Sequence, residues 1–337
     1  MEERGEEMKG IEVFTPENLE EAISIRASEQ AVPLAGGTDL MVKYRRPSGM
    51  LPDFKSNVIL LGKLSELRFV KEREEAGKAF IEIGALTTFS ELLKSEIIPK
   101  YVKEVIGEIA APGIRNMATI GGNICNASPA GDTLVPLYCL NAVLTLVGPD
   151  GKRKVKIEEF IKGPGKTELG QDELLISVSF EKIDFTSTFY RKVGTRRANA
   201  LSKVSFMGLA IKNPAHSGRS GYSSHSVSAD GVGKGKPGKK ISDLRIAFGA
   251  VAPTVVRSRE NEEALLEVLN EKGGKGKGNG GENGSHNAGR IIEKIKERSV
   301  YLYSDLITPI DDQRSRAAYR KEVSLSLLKE FIVELCK

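Results

Sequence analysis

The spacing of apolar residues changes near residue 187, and that change points to a mixed α+β architecture. Up to about residue 180, short apolar runs alternate with helical stretches. Thr15-Pro16 ahead of Leu19, Ala22, Ile23 and Arg26 predicts a capped helix with Pro at its first position. Residues 31–35 predict a short strand ended by Gly36-Gly37, with more strands at 58–61, 79–83 and 173–180. Thr88 and Glu91 have capping-box spacing and predict a helix over 92–98, and 102–110 reads as another. Beyond residue 187, 203–212 and 241–251 read as two long antiparallel strands. Helices are expected at 260–270, 290–298 and 320–336.

Two Gly/Ser/Lys-rich stretches, 214–240 and 271–289, have linker composition and predict flexible insertions where short connections would normally lie. They account for the formal charge of +5, because they carry +4 and +1 and leave the rest of the chain neutral. A neutral body is not an electrostatic nucleic-acid binder, so no nucleic-acid partner is expected. All three histidines, His216, His225 and His286, fall in these stretches. The remaining body then holds no Ser-His-Asp triad, His-ligated zinc or imidazole base. Cys125, Cys139 and Cys336 have no C-x-x-C spacing, cannot hold an iron–sulfur cluster alone, and fit a reducing compartment. Cys125 and Cys139 read as small buried apolar residues. The acidic N-terminus lacks an apolar signal-peptide region, and the 134–147 apolar run is too short to span a bilayer. The expectation is a soluble cytoplasmic protein with no membrane contact and no metal site of its own. If it is an enzyme, a cofactor must supply the chemistry.

Three glycine-containing sites bear on that cofactor. Gly163-Pro-Gly-Lys-Thr167 ends like a phosphate loop, but Phe160 stands where its first Gly belongs and no helical pattern follows. The Gly-rich run 274–281 lies inside an insertion and lacks the strand and helix of a dinucleotide fingerprint. The third site is a pair of segments. Pro33, Leu34, Ala35, Gly36, Gly37, Thr38, Asp39 and Leu40 form one, and Thr119, Ile120, Gly121, Gly122 and Asn123 the other. Paired glycines permit positive φ and let consecutive amides converge on an anion, with Thr38, Thr119 and Asn123 supplying hydroxyl and amide groups. Two tight turns with no ligand remain the alternative.

The string Ile114-Arg-Asn-Met-Ala-Thr-Ile-Gly-Gly-Asn-Ile-Cys-Asn-Ala-Ser-Pro-Ala-Gly-Asp132, with Ala35-Gly-Gly-Thr-Asp-Leu40 upstream, resembles the flavin subunit of molybdenum hydroxylases. Within that family it is most similar to the separate FAD subunits of bacterial xanthine dehydrogenases. Gly163 to Thr167, Arg245 to Thr254 and Arg257 match as well, and the resemblance spans about residues 10 to 335 apart from the insertions. It implies a two-part FAD-binding domain of the p-cresol methylhydroxylase type over 8–183, then a C-terminal α+β domain over 187–336. It also implies that Pro33 to Leu40 wrap the pyrophosphate, with Thr119 to Asn123 as the second half of the cradle. By the same resemblance, Asp132 accepts from cofactor hydroxyls, Leu175 packs on the flavin ring and Lys192 reaches the cofactor from the C-terminal domain. Arg115 is read as facing the cofactor or pairing with a carboxylate, and Arg196 and Arg197 as facing the cofactor or an interface. Non-covalent FAD, NAD as acceptor, a large molybdopterin subunit and a small [2Fe-2S] subunit follow as expected cofactors and partners, with no catalytic side chain in this chain. The rivals are a stand-alone flavin oxidoreductase of the same fold and a binding protein that has lost its cofactor.

Overall fold

The computed structural model describes residues 11–213, 240–271 and 283–337. The chain opens with β1 (Val13–Phe14), α1 (Leu19–Glu29), β2 (Val32–Leu34), α2 (Leu40–Lys43) and β3 (Val58–Leu60). The three strands pair in parallel in the order β1-β3-β2. α1 is capped by Asn18, whose side chain accepts the Glu21 amide at 2.9 Å, so Pro16 lies ahead of the helix and not at its first position.

The next unit runs β4 (Val70–Glu75), β5 (Lys78–Gly84), α3 (Phe89–Lys94), α4 (Lys100–Gly107), α5 (Pro112–Met117), α6 (Ile120–Asn126) and α7 (Leu134–Cys139). It closes with β6 (Val143–Gly148), β7 (Gly151–Lys156), α8 (Ile157–Phe160), β8 (Ile161–Gly163), β9 (Lys166–Thr167) and β10 (Leu174–Glu181). β4-β5-β10-β6-β7 form one antiparallel sheet. The capping box at Thr88 and Glu91 is present, and its geometry starts α3 at Phe89, three residues before the expected 92. Residues 163–167 lie in a hairpin between β8 and β9, which rules out a phosphate loop there. Central β10 is buried from Leu174 to Phe180, including Ser177 and Ser179, whose hydroxyls donate to Glu82 and to the Val143 carbonyl. A bulge between Leu175 and Ser177 lets Leu175 and Val178 join one core while Leu174 and Ile176 join another.

The last unit has β11 (Ser187–Val193), β12 (Val204–Asn213) and β13 (Lys240–Gly249) in an antiparallel sheet, covered by α9 (Arg259–Glu271), α10 (Asn283–Tyr303) and α11 (Ala317–Leu335). Its core is aromatic: Phe189, Phe206, Phe248, Phe331 and Tyr303 pack with ring centroids 5.0–5.9 Å apart. Gly208 on β12 makes room for α11, since a Cβ there would come within 2.5 Å of the Phe331 ring. Both low-complexity stretches are shorter than expected. Lys240 opens β13, Glu271 closes α9, and α10 begins at Asn283, so His286 belongs to a helix. Residues 214–239 and 272–282 lie outside the described residues.

The first two units and the last meet at the C-terminal end of α7, whose final carbonyls have no partner within their own helix. Arg257 donates to the carbonyls of Tyr138 and Cys139 and to Asn141 Oδ1, and Arg245 donates to the Cys139 carbonyl at 3.0 Å. Arg259 reaches Asn141 and Glu158. Arg257 also forms a buried ion pair with Glu262 at 2.9 Å.

Candidate functional site

Gly36 and Gly37 end β2 and turn the chain into α2. Only Gly37 of the four paired glycines needs the left-handed region, at φ 68°. The amides of Gly36, Gly37, Thr38 and Asp39 make no hydrogen bond to any described residue, and neither does the Thr38 hydroxyl. Consecutive backbone donors left open in a turn form a concave anion site.

The glycines do a second job that motif reading misses. A Cβ on Gly36 would sit 1.9 Å from the Met117 carbonyl oxygen, and one on Gly121 would sit 2.6 Å from the Ala85 Cβ. Gly122 would bring a Cβ to 2.9 Å from the Thr119 hydroxyl and 3.8 Å from the Ala35 Cβ. Gly36 is therefore packed on the 117–118 backbone just ahead of the second segment, Gly121 on Ala85, and Gly122 faces Ala35 of the first segment. Their pairing reflects contact between backbones as well as openness to a ligand.

The second segment differs from the first in its donors. Thr119 is the N-cap of α6, and its hydroxyl accepts the Gly122 amide at 3.1 Å. The Ile120 amide donates to Thr87, Gly121 to Ala85 and Asn123 to Thr119. Gly121 and Gly122 are helical, and the converging-amide expectation for this segment is corrected: those four amides are already paired. What it can offer is the Asn123 side-chain NH2, since its Oδ1 accepts the Thr133 hydroxyl.

Loop 127–133 follows α6 and is pinned at two points. The Ala127 carbonyl accepts the Gly165 amide at 3.1 Å, and the Pro129 carbonyl accepts the Ala250 amide at 2.8 Å. This holds Asp132, only 6% exposed, against the sheet of the last unit. There Lys192 of β11 donates to Asp132 Oδ2 at 2.7 Å and to the Glu108 carbonyl at 2.9 Å, and Ser202 donates to Asp132 Oδ1 at 2.5 Å. Asp132 and Lys192 thus satisfy each other across the seam. Sequence reasoning missed Ser202, Thr133 and the Glu108 carbonyl, and nothing in their spacing marks them.

Leu175 is buried within the first-part core next to the Ile176 carbonyl, which accepts the Ala85 amide at 2.9 Å. Ala85 in turn holds Gly121, so Leu175 lies two contacts from the second Gly-Gly segment. Pro33 and Leu34 pair with Ile59 and Leu60 in the parallel sheet, and Leu40 opens α2. Among the described residues Arg115 pairs with no carboxylate; it donates to the carbonyls of Ile109 and Ala110. Arg196 is bound within its own loop to the carbonyls of Ala198 and Asn199. Cys139 is buried as expected, whereas Cys125 is half-buried; desolvation pushes both thiols up to about 12 and keeps them protonated. Among the described residues no cluster of His, Cys, Asp and Glu suits a metal, and no helix is long and apolar enough to cross a membrane.

Four open amides, a hydroxyl and a glycine with no space for a Cβ fit the pyrophosphate of a dinucleotide such as FAD. Comparison with known proteins agrees. Residues 8–180 match the family described as the FAD binding domain in molybdopterin dehydrogenase. The chain is 30% identical to the glyceraldehyde dehydrogenase medium chain of Sulfolobus acidocaldarius over 91% of this chain and 92% of that one. It is 30% identical to the xanthine dehydrogenase FAD-binding subunit of Escherichia coli O157:H7 over 73% of this chain and 75% of that one. Its fold is similar to a carbon monoxide dehydrogenase chain of Hydrogenophaga pseudoflava, with a TM-score of 0.70 at 22% identity covering 96% of each. The open amide cradle, the α+β architecture and these matches together make the chain an FAD-binding oxidoreductase subunit of the molybdenum hydroxylase family.

Proposed function

We propose that this chain binds FAD non-covalently and serves as the electron-transfer subunit of a cytoplasmic, xanthine dehydrogenase-like heterotrimer. Its partners in this reading are a large molybdopterin subunit and a small subunit with two [2Fe-2S] clusters, and NAD is the acceptor. The four consecutive open amides at Gly36 to Asp39 carry the cofactor assignment. Relatives named as a medium chain and as an FAD-binding subunit support membership in a multi-subunit assembly.

Residues 8–183 form the cofactor domain in this account, and 187–336 the domain that closes over it. Pro33 to Leu40 wrap the pyrophosphate, with Gly36 to Asp39 donating their amides and Thr38 its hydroxyl. Asn123 adds its side-chain NH2 from the second segment. Asp132 accepts from cofactor hydroxyls, Leu175 borders the ring, and Lys192 reaches the cofactor from β11. Bound FAD supplies reversible hydride and electron exchange, and no side chain of this chain enters that chemistry. The protein's part is to bind, to orient and to exclude water.

Acid precipitation of the purified chain is expected to leave yellow flavin in the supernatant; flavin fixed in the pellet would contradict non-covalent attachment. The FAD-loaded chain is expected to turn over NADH with an artificial dye yet oxidise no purine alone, because its three cysteines cannot hold two clusters. Purine oxidation by the isolated chain would favour a self-sufficient flavoenzyme.

A further inference from the structure

Among the described residues, four buried side-chain atoms lack a hydrogen-bond partner, and one is the Tyr190 hydroxyl. Tyr190 is 7% exposed and lies two residues before Lys192 on β11, so the two side chains share a face of the sheet. That face meets Asp132. A buried, unpaired hydroxyl is destabilising, and a native protein that keeps one needs a reason. Lys192 meanwhile holds Asp132 with one of its three protons and the Glu108 carbonyl with another.

We propose that Tyr190 is a positioning residue for Asp132: its hydroxyl takes over the carboxylate when Lys192 turns from Asp132 toward the cofactor. This rests on the FAD reading above. A carboxylate offers about four acceptor sites, so Ser202 and the cofactor hydroxyls leave buried Asp132 with room for a further donor, and losing the lysine creates the need for one. Ser202 already serves the other oxygen, Oδ1, and the Glu108 side chain is an anion. Tyr190 is a neutral donor on the correct face. Burial and the neighbouring carboxylates of Asp132 and Glu108 raise its phenol well above the ordinary value, so it keeps its proton at neutral pH. The orphan hydroxyl is then a donor in reserve, unpaired while Asp132 and Lys192 hold each other and paired once the cofactor draws the lysine away.

The test compares Tyr190→Phe in two backgrounds, using thermal melting of the FAD-stripped full chain. In the wild-type background the substitution removes an unpaired hydroxyl, and the melting temperature is expected to rise by about 2 °C. In a Lys192→Met background Asp132 already depends on Tyr190, and the same substitution is expected to lower it by at least that much. A tyrosine that only fills space shifts both backgrounds in one direction, and that result overturns the proposal. A second readout needs only the single variant. Tyr190→Phe is expected to weaken FAD binding about tenfold in a fluorescence titration, the loss of one hydrogen bond to a charged group. An unchanged dissociation constant also overturns the proposal. If the wild-type chain takes up no FAD at all, the cofactor reading fails, while the sign of the melting shifts still decides whether Tyr190 backs up Lys192 at Asp132.

Discussion

Gly36→Ala is expected to abolish FAD binding and to cost about 3 kcal/mol or more, beyond the usual range for overpacking. The new methyl carbon would stand 1.9 Å from the Met117 carbonyl oxygen and 3.1 Å from the Ala118 Cα. Both are backbone atoms, so no side-chain rotation relieves the clash, and β2 must separate from the α5–α6 connection. That separation shifts the open amides of Gly36 to Asp39 relative to the second segment. Gly122→Ala is the control. Its Cβ would meet the Thr119 hydroxyl at 2.9 Å and no backbone atom outside its own helix within 4 Å, so a small adjustment of the cap accommodates it. Equilibrium denaturation and flavin content of the two variants check the ranking. A Gly36→Ala protein with full flavin and near-normal stability would mean that the contact with Met117 does not hold the cradle together.

Arg257→Ala is expected to destabilise the fold by about 3–5 kcal/mol, the range for breaking a buried ion pair by removing one partner. Its side chain is 7% exposed and that of Glu262 is 6%, so the substitution strands a carboxylate in the interior. It also uncaps the carbonyls at the end of α7, where the last unit grips the first two. Arg259→Ala removes a neighbouring ion pair whose arginine is 51% exposed, and about 0–1 kcal/mol is expected there. Urea unfolding of both variants separates the two cases. A loss for Arg257→Ala no larger than for Arg259→Ala would show that the α7 clamp is not what joins the parts.

The elements legible in the sequence were those set by local chemistry. Thr88 and Glu91 announced α3 because a capping box acts within one turn, and the apolar-rich stretch 173–180 announced a strand at β10, while its burial on both faces, Ser177 and Ser179 included, was not legible. Thr15-Pro16 misled for the same reason. It is a sound helix start in isolation, but the Asn18 side chain captures the Glu21 amide and begins α1 later. The two Gly-Gly segments were visible as candidates, yet their difference was not. Whether an amide is open or paired depends on Thr87 and Ala85, which are far from residues 120 and 121 in sequence. The Asp132–Lys192 pair joins residues 60 apart, and only the register of β11 against loop 127–133 brings them together. Long-range pairing of this kind leaves no periodicity to read.

The central claim is that Gly36 to Asp39 hold the pyrophosphate of FAD, and a paired titration tests it most directly. The flavin-stripped chain is titrated with FAD and, separately, with riboflavin, which has the same ring but no phosphate, while flavin fluorescence is followed. Four backbone amides and a hydroxyl on the pyrophosphate supply charge-assisted hydrogen bonds, each worth about 1.5–3 kcal/mol, that riboflavin cannot form. The account predicts that FAD binds at least a thousandfold more tightly than riboflavin, and that Gly36→Ala removes this difference. Equal affinity for the two flavins in the wild-type chain would contradict it.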